Sequence, residues 1–433
     1  QPGQDGDGER GHHHRPRIRG THPLHHGDAN RKAENGGRQG SGGIPQVGKG
    51  GRDPGEAMRA REAGAVLGWT GARGHGFSLP LRCDICSPRG RKRLVIGQNG
   101  RVTRLLRTIK DARLVSTGEL PDGGAVDELL ATVHAAYRGV DEGEVSTVAP
   151  ALATADPAHF GLAIVGVNGR LHEVGDSRVP FTIQSVSKVF TYALVADEIG
   201  IDALRDRIGV NATGLPFNSA QAVEQGEPGP TNPLVNAGAI ATASLAQGEG
   251  VEERWRWLRN GISRFAGRDL SVDHEMLVSE RATNFRNRAL ANLLRSFGTL
   301  SGSPLDAVEI YTRACALQVN AVDLATMGSV LADGGVHPIT RERVVSEEVA
   351  RVTLALMIVS GMYETSGDWL IDVGSPAKSG IGGGIVTVSP GKGALGTYSP
   401  RLDAAGNSVR GGMAAARLAR SLGLDLLAST EYR

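Results

Sequence analysis

Nowhere in its 433 residues does the chain carry a run of about 18 consecutive apolar residues, so no membrane-spanning helix is expected. Cysteine is scarce: Cys83, Cys86 and Cys315 cannot build a disulfide framework, which points to a reducing compartment. An excess of one charge is also lacking. A formal net charge of +2 speaks against a polyanion-binding protein, so nucleic acid is not an expected partner. The basic N-terminus has no apolar core of the kind a secretory signal carries, and the expected location is cytoplasmic. Aromatic residues make up only 4% of the chain, against 61 glycines. The apolar share of 40% is still enough for a substantial core, in one large domain or two ordinary ones.

Periodicity is missing from the N-terminal part. Half of the twelve histidines lie before residue 30, in a stretch with neither helical nor strand spacing. Such a composition buries too little apolar surface to offset its conformational entropy. Residues 1–115 are therefore expected to be a disordered low-complexity tail, or sequence upstream of the natural start. A metal-binding or nucleic-acid-binding arm, built on the cluster around His13 and on Arg89-Gly90-Arg91-Lys92-Arg93, is the alternative. Cys83-Asp84-Ile85-Cys86 has the spacing of half a zinc site, but no second pair completes it nearby, so no metal is expected.

From about residue 121 the pattern turns globular, and 116–433 is expected to form one domain. Val126, Leu129, Leu130, Val133 and Ala136 share a helical face within Ala125–Arg138. Phe160–Val167 reads as a buried strand, and Asn168-Gly169 as a two-residue hairpin turn into Leu171–Val174. Ser185 is expected to open a helix that runs to Ile199 and closes at Gly200. A long helical stretch follows. Strands return at Gly383–Val388 and Gly393–Tyr398, and the last helix is expected at Val409–Leu422. Strands at both ends of a helical insertion indicate an α+β fold: an antiparallel sheet flanked by helices, from 121–185 and 370–433, plus an all-helical lobe over about 200–345.

Two short motifs carry chemistry. In Ser185-Val186-Ser187-Lys188, a lysine one turn from a serine can act as its base if the site lowers the lysine pKa. Ser187 is the competing hydroxyl, but it fails that spacing. Lys378-Ser379-Gly380 precedes a glycine-rich strand, where the backbone can approach a substrate closely and an inward amide can serve an oxyanion. A Lys-Ser/Thr-Gly segment on a strand edge is the usual companion of SxxK in serine hydrolases of the penicillin-recognising kind. Each motif alone also reads as an ordinary capping serine or a flexible turn; SxxK arises roughly once by chance in a chain of this length.

Longer blocks join the two motifs. They are Phe181–Phe190 (FTIQSVSKVF), Thr231–Ile240 (TNPLVNAGAI), Ser279-Glu280-Arg281, Val359–Tyr363 (VSGMY), Pro376–Gly380 (PAKSG) and Gly406–Gly411 (GNSVRG). On these six ordered blocks, from about Gly143 to Leu422, the chain resembles the serine-dependent glutaminases, which share the β-lactamase/DD-peptidase-like fold. The resemblance implies hydrolysis of L-glutamine to L-glutamate and ammonia through an acyl-enzyme, with no metal or organic cofactor, by a homo-oligomer. It makes Ser185 the nucleophile, Lys188 the general base and Tyr363 a proton relay, with the amides of Ser185 and Ile381 as the oxyanion hole. Asn236, Glu280, Asn287 and Tyr311 are implied to hold the ammonium and carboxylate of glutamine.

The residue types suit those roles. A zwitterionic amino acid needs a carboxylate for its ammonium, which Glu280 supplies. Its own carboxylate needs neutral donors, which Asn236, Asn287 and the Tyr311 hydroxyl supply. Glutamate would be rejected because the donors of the side-chain amide are gone. One departure stands out: the family's tyrosine in a Val-Ala-x-Tyr-Ile-Pro stretch is here Val148, within Val145–Pro150. A milder one replaces the family's Cys-Ser with Cys315-Ala316. Another serine amide hydrolase acting on β-lactams or peptides, or a glutaminase-like binding module of weak activity, are the alternatives. The lack of a Ser-Asp-Asn motif speaks against the first, and the intact Ser/Lys/Tyr set against the second.

Overall fold

The structure, a computed structural model, describes residues 120–225 and 231–429. The N-terminal tail with its histidine cluster, Cys83 and Cys86 lies outside the described residues.

In chain order the elements are α1 Gly123–Tyr137, β1 Glu144–Val145, β2 Gly161–Gly166, β3 Leu171–Gly175, β4 Phe181–Thr182, α2 Ser187–Ile199, α3 Ile201–Ile208, α4 Gln221–Glu224 and α5 Asn236–Ala243. Then come α6 Gly250–Ala266, α7 His274–Thr283, α8 Phe285–Ser296, α9 Pro304–Cys315, β5 Gln318–Val319, α10 Ala321–Ala332, α11 Glu347–Ser360 and α12 Ser366–Asp372. The chain closes with β6 Ala377–Ser379, β7 Gly384–Ser389, β8 Gly393–Tyr398, β9 Arg401–Leu402 and α13 Val409–Leu422.

Five strands form one antiparallel sheet in the order β3-β2-β8-β7-β6. The period-2 alternation of β2 feeds two separate cores. Leu162 and Ile164 face α1 and α13, where they meet Val126, Leu130 and Leu418. Ala163 and Val165 face the other way, into the large core shared with α10 and the helical lobe. Because both faces are covered, β2, β7 and β8 are buried at every position. Gly328 lets α10 lie flat on this sheet: a Cβ there would come within 2.6 Å of Val386 and 2.7 Å of Ala394. The expected α+β architecture, sheet plus helical lobe, is the one observed.

Local signals mostly translate directly. Asn168-Gly169 makes the β2–β3 turn with Gly169 at φ 80°, and Asn168 Oδ1 accepts from Arg170 N. Gly200 ends α2 at φ 94°. The last helix, α13, starts behind Ser408, whose hydroxyl accepts from Gly411 N, and runs over the expected residues.

One expectation fails. Ser185 does not open the α-helix; it sits in a 3-10 turn over Gln184–Val186, and α2 begins at Ser187. The cause lies just upstream. Phe181 and Thr182 pair with β5, Ile183 N donates to Leu317 O, and Gln184 must turn through φ 51° to leave that pairing. A helical hydrogen-bond ladder cannot begin until the turn is complete.

The two ends of the fold are locked by one side chain. Arg410, on α13, is 2% exposed, and among the described residues its hydrogen bonds go to a hydroxyl and to backbone carbonyls. Its guanidinium donates to Ser399 Oγ and to the carbonyls of Arg138, Pro157, Ala158 and His159. It also lies 5.5 Å from the centroid of the Phe160 ring. The cage therefore joins α13 to the end of α1 and to the segment entering β2. Arg410→Met keeps the approximate volume but removes the donor that these five oxygens share. It should cost about 3 kcal/mol, seen as a drop of several degrees in Tm by differential scanning calorimetry.

Candidate active site

A cavity of about 160 Å³ opens where the 3-10 turn, α5, α7, α8, α9 and the β6–β7 connection meet. Ser185, Asn236, Glu280, Asn287, Tyr311 and Ile381 all line it. Lys188, Tyr363 and Lys378 stand behind its walls, buried and not lining the cavity.

Ser185 is 7% exposed, and the left-handed conformation of Gln184 immediately before it turns the chain into the cavity wall. Lys188, in the first turn of α2, is 2% exposed. Its ammonium donates to Asn236 Oδ1 at 2.6 Å; among the described residues no hydrogen bond joins it to Ser185. The expected reach back to the serine is thus replaced by a contact with α5. Burial pulls the Lys188 pKa down to about 8, with Cys315 acting in the opposite direction. A sizeable fraction of such an amine is neutral in mildly alkaline solution, as a general base must be.

Asn236 is the hub of the polar network. At the first position of α5, it accepts from Lys188 and, at 3.4 Å, from the Tyr311 hydroxyl, while its Nδ2 donates to Asn287 Oδ1 at 3.0 Å. With its oxygen engaged, Asn287 keeps N–H donors for a ligand. Tyr311 reaches the hub from α9, and burial pushes its hydroxyl well above the ordinary tyrosine range, so it stays a neutral donor.

Glu280 and Asn287, seven positions apart, belong to two helices. α7 ends at Thr283, and α8 starts at Phe285 after the Asn284 break. The kink brings carboxylate and amide to one cavity wall. Gln184 Nε2 donates to Glu280 Oε1 at 2.7 Å. Burial pushes the Glu280 carboxyl up to about 7, and the Gln184 hydrogen bond only partly offsets this.

Tyr363 also sits in the left-handed region, at φ 55°. Its hydroxyl donates to Ser379 O at 3.0 Å, and a hydrogen bond with the Ser185 side chain acts to lower its pKa. Burial outweighs that and raises it, keeping the phenol protonated. Ile381 lies in the turn closed by Gly380 N to Gly384 O and Gly383 N to Gly380 O, next to Ser185 across the cavity.

Val148 lines the cavity at its solvent side, 70% exposed. Among the other lining residues, Gln184, Phe217 and Cys315 have no site role assigned from sequence. Gln184 had only its place in a motif block as a signal, since glutamine does not advertise positive φ. Phe217, on the loop before α4, sits with its ring 4.8 Å from that of Tyr363 and 5.8 Å from the Lys188 amine. Cys315 is the last residue of α9. Burial pushes its thiol up to about 12, so it does not compete with Ser185 as a thiolate.

This arrangement, a buried serine beside a depressed amine and across from a partly buried carboxylate, fits acyl transfer on an amino-acid amide. Relatives agree. A family model described as Glutaminase matches residues 143–427, and the chain belongs to that family. It is 52% identical over 318 residues to "Glutaminase 2" of Yersinia pestis, covering 73% of this chain and 94% of that one. It is 46% identical to the glutaminase of Colwellia psychrerythraea over 290 residues, 67% of this chain and 93% of that one. Among solved structures, "Probable glutaminase ybaS" superposes at a TM-score of 0.70 with 40% identity, covering 71% of this chain and all of that one. Mglu, in its native form, gives 0.67 with 41% identity over 71% of this chain and 74% of that one; it has also been solved in a glutamate form. The fold is thus the β-lactamase-like one of these enzymes.

The Glu280 carboxyl makes a testable demand. Folding raises its pKa from the usual 4.5 to about 7, so the folded state holds that proton more tightly than the unfolded chain. Stability from this group therefore falls as pH rises from about 4.5 to about 7 and stays low above that. Glu280→Gln removes the charge and still accepts from Gln184. It should raise Tm at pH 8, by up to about 3 kcal/mol of stability, and leave Tm at pH 4.5 little changed; scanning fluorimetry at the two pH values checks this.

Proposed function

We propose that the chain hydrolyses L-glutamine to L-glutamate and ammonia through a Ser185 acyl-enzyme. The observation that carries this reading is the convergence of Ser185 and Glu280 on one small cavity, backed by the buried Lys188 amine with its pKa near 8. In the proposed sequence Lys188 takes the Ser185 proton, and Oγ attacks the side-chain amide carbon. The amides of Ser185 and Ile381 stabilise the oxyanion, and Tyr363 or Lys188 protonates the departing ammonia. Water then hydrolyses the ester. Ionised Glu280 receives the substrate ammonium, while Asn236, Asn287 and Tyr311 serve its carboxylate. The names of the relatives, and a glutamate form of Mglu, support this substrate. No organic cofactor or metal is invoked.

The same reading includes a cytoplasmic homo-oligomer. Exposed Val278 on α7 and Phe285 at the start of α8, both large and apolar, support an association face beside the cavity.

Ser185→Ala should lower kcat for ammonia release from glutamine by at least about a thousandfold with the circular dichroism spectrum unchanged. Activity surviving in that variant overturns the mechanism. Turnover of a chromogenic β-lactam or asparagine in preference to glutamine overturns the substrate assignment. At the cavity's solvent side, Val148→Tyr restores the hydroxyl that the family carries. It should lower KM for glutamine about tenfold, the worth of one added hydrogen bond to a charged group, as read from steady-state kinetics.

A further inference from the structure

Lys378 has no part in the sequence of steps above, yet it is completely buried. It lies in the edge strand β6, in register with Val386 of β7, and it is not among the residues lining the Ser185 cavity. In this it is like Lys188 and Tyr363. Its amine is instead spent on three groups close to one residue. It donates to Gly361 O at 2.9 Å, two positions before Tyr363, and to Ser379 O at 2.7 Å. It also sits 4.2 Å from the centroid of the Tyr363 ring, and burial, with the Lys188 amine nearby, holds its pKa well below the usual lysine range. Ser379 O is the same oxygen that accepts from the Tyr363 hydroxyl at 3.0 Å. Lys378 and Tyr363 therefore share an acceptor, and the amine touches the tyrosine at its ring, at the backbone leading into it and at its hydrogen-bond partner.

That residue needs holding. A tyrosine at φ 55° is strained, by roughly 1–2 kcal/mol, and such a conformation persists only where the surroundings over-determine it. Gly361 and Tyr363 link the end of α11 to the turn before α12, and Ser379 N donates to Gly361 O, so strand and turn are already paired at this point. The lysine adds the contacts that fix the side chain.

We propose that Lys378 is a positioning residue for Tyr363: its amine clamps the Gly361 carbonyl, the Ser379 carbonyl and the phenol ring so that the hydroxyl stays beside Ser185. This rests on the proton-relay role given to Tyr363 in the Ser185 mechanism. A lysine that merely filled space would be replaceable by methionine without kinetic effect.

The test is a double-mutant cycle on glutamine hydrolysis with Lys378→Met, Tyr363→Phe and both together. Lys378→Met is expected to lower kcat ten- to a hundredfold with KM changed less than twofold. The double variant is expected to be no slower than the slower single one, because both changes disable the same group. Losses that multiply, or a kcat within twofold of the parent, overturn the proposal. Where Lys378→Met does not fold, Lys378→Leu, which likewise has no N–H donor, takes its place under the same criteria. A crystal structure of the variant decides the matter independently of substrate identity. Displacement of the Tyr363 hydroxyl from Ser379 O supports the clamp, and an unmoved Tyr363 overturns it, even if glutamine proves not to be the substrate.

Discussion

The site depends on burying an amine without a carboxylate. An ammonium taken out of water costs several kcal/mol unless a counter-charge compensates, and the group shifts its pKa instead. Lys188 is held by an amide oxygen, Asn236 Oδ1, which solvates the charged form without neutralising it. A carboxylate in that position would raise the pKa and leave no base. Much of the surrounding design follows from this choice: Asn236 anchored at the head of α5, Asn287 tying down its amide group, Tyr311 sharing its oxygen, and the aromatic faces of Phe217 and Tyr311 each 5.8 Å from the amine.

The second constraint is backbone geometry. Gln184 and Tyr363, both in left-handed conformations that ordinary side chains avoid, stand on either side of the Ser185 hydroxyl. Strain of this kind clusters where a fold aims groups at a reaction, and here each strained residue is anchored by a long-range side-chain contact: Gln184 to Glu280 and Tyr363 to Ser379. The price in stability is met by the large core beneath the helical lobe and by the closed cage around Arg410.

How much of this could be read from the chain divides along physical lines. Where a local rule decides, the sequence sufficed: the Asn168-Gly169 hairpin, the buried strand β2, the strand β8, the face of α1 apart from exposed Ala136, and the extent of α13. Ser185, Asn236 and Glu280 were legible because the ordered motif blocks carry them, and Asn287, Tyr311 and Ile381 because the family resemblance implies them; all six line one cavity. What stayed hidden is what tertiary context imposes. Nothing near residue 184 announces that pairing with β5 delays the helix by two residues. Nor does an apolar spacing reveal that α7 and α8 break at Asn284, that Lys188 turns to Asn236, or that the Lys378 of the second motif packs on the Tyr363 ring.

The strand order has a consequence for how such a chain comes into being. β2 and β3 leave the ribosome early, but the neighbour that completes β2 is β8, more than two hundred residues later, and the helical lobe is made in between. Until β8 arrives, a hairpin with one open, apolar edge exists on the growing chain, exposed for as long as translation takes to cover that distance. Synthesis from the N-terminus therefore yields a half-sheet that must wait, and the Arg410 cage, whose parts come from both ends, can close only once the last helix is made. Activity in this fold therefore waits on elements made more than two hundred residues after β2.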